Sequence, residues 1–230
     1  MRSTFQAANI HSDVELFHDL AELEVDAILA AARPHRFPAQ SIITREGESA
    51  THLYLLWDGL ARFFFDTPKK KLSSLLIAPG RIFGAAALAI PPYNYLASTE
   101  AVQNSTVLGW NGPTIRKLAD EFPQLLLNAY MTTGKYLLWV IGAYSALAID
   151  PAEKRLAHVL LEYVSAIGKR TRRGFELAIT NEELANAVNI TPYTASRLIQ
   201  RWEKAGIIHK SRSKIILSAK FLQSHSFLPF

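Results

Sequence analysis

The hydrophobic and polar positions of this 230-residue chain change period along its length, and each change marks a different kind of element. Across residues 13–32, Leu16, Leu20, Leu23, Ala27 and Ile28 recur at the spacing that lines one face of a helix. From residue 34 to about 110 the texture becomes short β-branched and aromatic runs: RFPAQSIIT, HLYLLW, LARFFF, KLSSLLI and STVLGW. Between them stand the turn signals EGES, WDGL, DTPKK, APGR and PPYN. Many short strands at near-regular spacing predict an antiparallel β-roll or barrel.

Beyond residue 111 the pattern turns helical, and residues 122–149 hold a single charged side chain, Lys135. Two heptad-like stripes run along this stretch. One is Leu126, Tyr130, Thr133, Leu137, Val140, Tyr144 and Leu147; beside it lie Leu127, Met131, Gly134, Leu138, Ile141, Ser145 and Ala148. A helix apolar around most of its circumference must be covered on most sides, more than one β-roll can do. A second copy of the helix supplies the cover, which predicts a parallel or near-parallel homodimer through Leu126, Tyr130, Leu137, Val140 and Tyr144. Burial of the helix inside one monomer is the alternative. The most apolar run, YLLWVIGAYSALAI at 136–149, falls short of the roughly 18–20 residues of a membrane span, so no membrane partner is expected. Asp150 and Pro151 then read as an N-cap and a first helical residue, placing a domain boundary between 1–149 and 150–230.

The segment ITNEELANAVNITPYTASRLIQRWEKAGII carries the chemistry. Thr180 and Glu183 form a capping box before a short helix that buries Leu184, Ala185 and Val188. Asn189 stands at a sharp turn and tolerates the left-handed conformation. Thr191 caps a second helix with Pro192 in its first turn. On that helix Ala195, Leu198, Ile199 and Trp202 share one side, leaving Tyr193, Ser196, Arg197, Gln200, Arg201 and Lys204 largely on the other. This is the helix-turn-helix pattern, in which the second helix enters the DNA major groove. GIIHKSRSKIILS after it reads as a wing hairpin around a basic turn holding Arg212 and Lys214. With Thr191 and Thr194 these residues form the candidate DNA-binding set.

Charge sharpens this picture. The whole chain has 25 Lys and Arg against 20 Asp and Glu, a weak pointer to a polyanionic partner, but most of the positive excess lies in the C-terminal third. Cysteine is absent, which excludes disulfides, thiolate zinc sites, cysteine-ligated iron–sulfur clusters and cysteine-based redox sensing. The seven histidines show no HxxxH or HExxH spacing, and neither a nucleophile motif nor a phosphate-cradling glycine loop is present, so no enzyme and no metal site is expected. A lone histidine such as His52 leaves haem ligation open. The N-terminus has no apolar leader, which points to the cytoplasm.

Nearly the whole chain resembles the Crp/Fnr superfamily, through RFPAQSIITREGESATHLYLLWDGLARFF, APGRIFG, DPAEKRLAHVLLEY and the helix-turn-helix segment. The resemblance implies an α+β fold: an N-terminal antiparallel β-roll of the cyclic-nucleotide-binding type, a long dimerisation helix, then a C-terminal winged helix-turn-helix domain. It implies a transcription regulator that binds double-stranded DNA at an inverted repeat as a homodimer, with RNA polymerase as a further partner in an activator. Family members that bind cyclic nucleotides follow the FG pair with a glutamate for the ribose and place an arginine and a small hydroxyl residue downstream for the phosphate. Here Phe83-Gly84 precede Ala85, and Tyr95 and Leu96 stand at the other two positions, so cyclic AMP or GMP is not the expected effector. Pro192 and Tyr193 replace the Arg and Glu that several members present on the recognition helix. No cofactor is predicted. An unknown, more apolar effector could be lined by Trp57, Phe63, Phe65, Ala85, Tyr95, Leu96 and Trp139, and a sensor or partner-binding protein with decayed DNA binding is the alternative function.

Overall fold

The computed structural model describes residues 14–66, 71–91, 93–211 and 214–225. Strands in the first part are β1 (Arg33–Phe37), β2 (Ile42–Thr44), β3 (His52–Asp58), β4 (Ala61–Asp66), β5 (Lys71–Ile77), β6 (Ile82–Phe83), β7 (Ser98–Ala101) and β8 (Ser105–Asn111). They form two sheets, ordered β1-β8-β3-β6 and β2-β7-β4-β5. Alternation along β3 divides its side chains between two cores. Leu53 and Leu55 join Trp110 and the flanking helices, whereas Tyr54 and Leu56 pack with Phe83 and Val107 in the cluster that also receives Phe63. Gly59 turns β3 into β4 at φ 99°, and a Cβ there would fall 2.3 Å from the Ser105 hydroxyl oxygen, so only glycine fits.

Helices α1 (Glu22–Ala30), α2 (Gly112–Glu121) and α3 (Pro123–Ile149) cover the first core. The Trp110 indole N–H donates to the Ile28 carbonyl over 2.7 Å, fixing α1 to β8. The continuous helix expected over 13–32 is broken: a short 3-10 turn at Glu15–Phe17 is separated from α1 by Asp19 at φ 59°. Because the buried face of α1 is set by Val25 and Ile28, Leu23 faces solvent at 82% exposure. Strands β6 and β7 carry too little apolar periodicity to be read from sequence. β6 has two residues, and β7 holds Glu100, whose carboxylate is buried and accepts a 2.6 Å bond from Arg62 Nε across the β4–β7 pair.

The long helix is two-faced along its length. Near its start Leu125 and Ala129 are in the core, and Asn128 donates to the carbonyls of Leu16 and His18. Further on, Leu137, Leu138, Val140, Ile141, Tyr144 and Leu147 are all exposed. The chain divides within this helix into two compact units, Met1–Phe65 with Leu75–Leu137, and Asp66–Ser74 with Leu138–Phe230.

The second unit continues with α4 (Ala152–Ile167), β9 (Lys169–Thr171), β10 (Gly174–Ala178), α5 (Asn181–Ala187), α6 (Pro192–Lys204), β11 (Ile208–Ser211), β12 (Lys214–Leu217) and α7 (Ala219–His225). Its four strands form an antiparallel sheet ordered β11-β12-β10-β9. Leu156, Leu160, Leu177, Leu184, Ile199, Ile215, Leu217 and Phe221 are buried, with Trp202 edge-on to Phe221 at 5.2 Å. The break after α3 differs from the expected cap. Pro151 itself takes the N-cap position of α4, while the Asp150 carboxylate pairs with Lys154 at 2.8 Å and its carbonyl accepts from Arg155.

Candidate nucleic-acid interface

The helix-turn-helix forms as its residues dictate. Thr180 Oγ1 accepts from the Glu183 N–H, and the Glu183 carboxylate accepts from the Thr180 N–H, a reciprocal cap on α5. Asn189 makes the turn at φ 54°. Thr191 Oγ1 accepts from the Thr194 N–H over 3.1 Å and Pro192 begins α6. Ala195, Leu198, Ile199 and Trp202 are buried on one side of α6. The opposite side exposes Tyr193, Arg197, Gln200, Arg201 and Lys204, at helical neighbour spacing. Ser196 and Thr194 are half-buried at its margin.

These residues are not equivalent. Arg201 is ion-paired with Glu153 of α4, and the same carboxylate accepts from the Trp202 indole at 3.1 Å. Lys214 pairs with Glu176 at 2.8 Å. Tyr193, Arg197, Gln200 and Lys204 make no side-chain hydrogen bond or ion pair among the described residues, which leaves their polar groups for an outside partner. Arg212 lies outside the described residues. Glu153 and Glu176 went unread in the sequence because each partner lies far away along the chain and no local spacing marks the pair. The only signal available was the excess of arginine and lysine that their carboxylates offset.

In the β-roll, Gly84 at φ 78° lets the backbone of β6 pass close to Tyr95, whose ring is buried against Ala50 and Ala87. The Tyr95 hydroxyl accepts from the His52 N–H at 3.1 Å and donates to the His52 carbonyl at 3.2 Å. Tyr95 is thereby a satisfied part of the wall. Around it His52 stacks on Tyr54 and Tyr54 on Phe83, and burial pushes the Tyr54 hydroxyl up to about 12. The effector set read from the sequence is scattered. Trp57 and Ala85 pack against the helix-side core, Phe63 against the inner one, Phe65 is half-buried and Leu96 is exposed. Trp139 belongs to the second unit and donates its indole N–H to Glu162, whose carboxyl burial pushes up to about 7. Of the dimer set, Tyr130, Leu137, Val140 and Tyr144 are exposed on α3, while Leu126 packs partly against the core. No group of three or more potential metal ligands is found among the described residues, and no helix described is long and apolar enough to cross a membrane.

Residues 34–122 match the family model of the cyclic nucleotide-binding domain, and residues 154–224 match that of the Crp-like helix-turn-helix domain. The cyclic AMP receptor protein of Thermus thermophilus is 25% identical over 194 residues, spanning 84% of this chain and 87% of that protein. The transcriptional regulator LdrP of the same species is 26% identical over 188 residues, spanning 79% and 90%. Among solved structures, the global regulator CLP of Xanthomonas campestris matches with a TM-score of 0.75 at 18% identity, covering 86% of this chain and 100% of that one. FixK2 of Bradyrhizobium japonicum matches with a TM-score of 0.74 at 19% identity, covering 86% and 99%. A cyclic-nucleotide-binding-type roll followed by a winged helix-turn-helix, each matched by its own model in this order, makes the chain a member of the Crp/Fnr family of transcription regulators.

Proposed function

We propose that this regulator is a cytoplasmic homodimer that reads an inverted-repeat DNA site through α6, with an effector other than cyclic AMP or GMP, or with none. The observation that carries the reading is the face of α6. Four polar side chains, Tyr193, Arg197, Gln200 and Lys204, stand exposed along a helix whose other face is fixed by Ala195, Leu198, Ile199 and Trp202. Arg197 fits the bidentate contact to guanine O6 and N7, and Tyr193 fits a thymine methyl or a phosphate. Pro192, as the first residue of α6, offers no side-chain hydrogen bond, so the half-site differs from that of members with arginine there.

The second copy is called for by α3. Its row of exposed apolar side chains from Tyr130 to Leu147 is the composition of a helix-pairing seam, and Gly134 has open space beside it. Two recognition helices related by a two-fold axis require half-sites about one helical turn, ~34 Å, apart. In an activating role RNA polymerase is the further partner.

Nucleotide binding by the relative named for cyclic AMP does not transfer. A cyclic phosphate at Tyr95 would need a cation where the phenol is already bonded to the His52 backbone, and Ala85 offers the ribose no acceptor. Calorimetry should show no saturable heat with cyclic AMP or cyclic GMP at micromolar concentration; such a heat would overturn this part. Selection of bound duplexes from a random pool tests the rest, and an inverted repeat is expected. Leu137→Glu together with Val140→Glu should convert a sedimenting dimer to folded monomer and abolish tight binding to the selected site. An unchanged dimer would place the interface elsewhere.

A further inference from the structure

The winged-helix part of the chain carries more positive charge than its α6 face uses. Residues 150–230 hold 13 Lys and Arg against 7 Asp and Glu, an excess of six, and four of the 13 cations fall within the five residues 169–173. They are Lys169 and Arg170 on β9 and Arg172 and Arg173 in the turn to β10, all exposed. Three other cations of this unit are matched by carboxylates: Lys154 with Asp150, Arg201 with Glu153, Lys214 with Glu176. None of the four hairpin cations has a carboxylate partner among the described residues. Glu176, the cross-strand neighbour of Lys169, has its bond to Lys214.

The hairpin is also rigidly built. Thr171 Oγ1 donates to the Gly174 carbonyl at 3.0 Å and accepts from the Arg173 N–H at 3.3 Å. Gly174 sits at φ 136°, where an added Cβ would lie 1.9 Å from the Leu217 carbonyl oxygen, so β10 is drawn tight against β12 and the turn is held in place. Holding two arginines unpaired and side by side on a fixed turn repels them from each other, a cost that a polyanion removes.

Register places this turn relative to the wing. Ala178 of β10 faces Lys214, the first residue after the wing turn, whereas Phe175 faces Leu217. The Arg172–Arg173 turn is thus at the opposite end of the sheet from the wing turn, about 13 Å away along β10 at ~3.3 Å per residue. Its strand β9 also lies on the edge opposite β11. Cations at this end of the sheet are set apart from Lys214 at the other end of β10.

We propose that the β9–β10 hairpin is a second, sequence-independent DNA contact, in which Lys169, Arg170, Arg172 and Arg173 bind phosphates flanking each half-site. This rests on the DNA reading given above. It makes affinity depend on duplex length outside the recognised sequence, because each phosphate neutralised releases counterions and adds about 0.9 to the slope of log affinity against log salt.

The test compares two synthetic duplexes, one ending at the selected inverted repeat and one extended by about one helical turn of arbitrary sequence on each side. The parent protein should bind the extended duplex at least tenfold more tightly at moderate salt, with a steeper salt slope. Arg172→Gln with Arg173→Gln, and separately the fourfold variant adding Lys169→Gln and Arg170→Gln, should bind the short duplex as the parent does and lose the gain from extension. The turn pair alone should lower the extended-duplex slope by about two units per protomer. The proposal is overturned if parent and variants gain equally from extension. It is equally overturned if the variants match the parent on both duplexes but lose binding to an acidic protein surface such as that of RNA polymerase. A parent that prefers no duplex over random DNA would instead defeat the underlying reading of α6.

Discussion

Two regions of this protein, the roll around Tyr95 and the face of α6, treat their polar groups in opposite ways. At the roll, Tyr95 turns its hydroxyl back onto the His52 N–H and carbonyl and its ring onto Ala50 and Ala87. On α6, Tyr193 stands 75% exposed, and Arg197, Gln200 and Lys204 follow it along the same face. A tyrosine is at home in either setting. What separates the two is whether the surrounding backbone supplies its partner. A group satisfied internally is structure, and a row of groups held out by a fully buried opposite face is an invitation to a ligand.

The largest expected effect breaks the closed side. Tyr95→Ala should cost about 3–5 kcal/mol of stability, the range for removing a buried aromatic ring, read from the urea midpoint with its slope unchanged. A loss below about 1 kcal/mol would mean the phenol is a removable plug rather than part of the wall.

Glu162 sharpens the contrast, being enclosed but poorly matched. Burial holds its proton up to about 7, the Trp139 indole N–H offsetting part of that, against an ordinary value of 4.5. Between those two values the unfolded chain ionises while the folded one keeps the proton, so stability falls as pH rises through this window. The expected loss is on the order of a few kcal/mol. Glu162→Gln should flatten the pH dependence of the urea midpoint between pH 5 and 7.5, and an unaltered slope would place the titrating group elsewhere.

The smallest effect concerns how α6 is aimed. Thr191→Ala removes the acceptor of the Thr194 N–H and should cost about 1 kcal/mol in stability. Thr191→Ser should restore it, and thermal melting of the three proteins checks this.

The winged helix was legible because its signals are local. Caps at Thr180 and Thr191, the turn at Asn189 and the buried row on α6 all lie within a few residues of what they control. Strand existence in the roll was legible for the same reason wherever a short β-branched or aromatic segment lay between turn signals. The shortfalls are non-local. Asp19 breaks the first helix through a backbone conformation that spacing does not encode, and the cap expected from Asp150 yields to its ion pair with Lys154. Trp139 looked like a pocket aromatic but donates to a carboxylate on the next helix. Arg201 and Lys214 belong to the DNA-binding set read from the sequence, yet each meets an acid supplied from another element. Their contribution to DNA binding must first dissolve those pairs, so it should be smaller than that of Lys204.

The central claim is that the unpaired face of α6 reads bases, with Arg197 as the reader. The direct measurement is a binding titration of the parent, Arg197→Ala and Lys204→Ala against the selected site and every single-base variant of one half-site, at several salt concentrations. Arg197→Ala should erase discrimination at one base pair per half-site, worth roughly 1–3 kcal/mol there, and leave preferences elsewhere intact. Lys204→Ala should weaken all sequences alike and lower the salt slope by about one unit. If Arg197→Ala keeps the parent's full base profile, Arg197 is not the reader and the account of α6 is wrong.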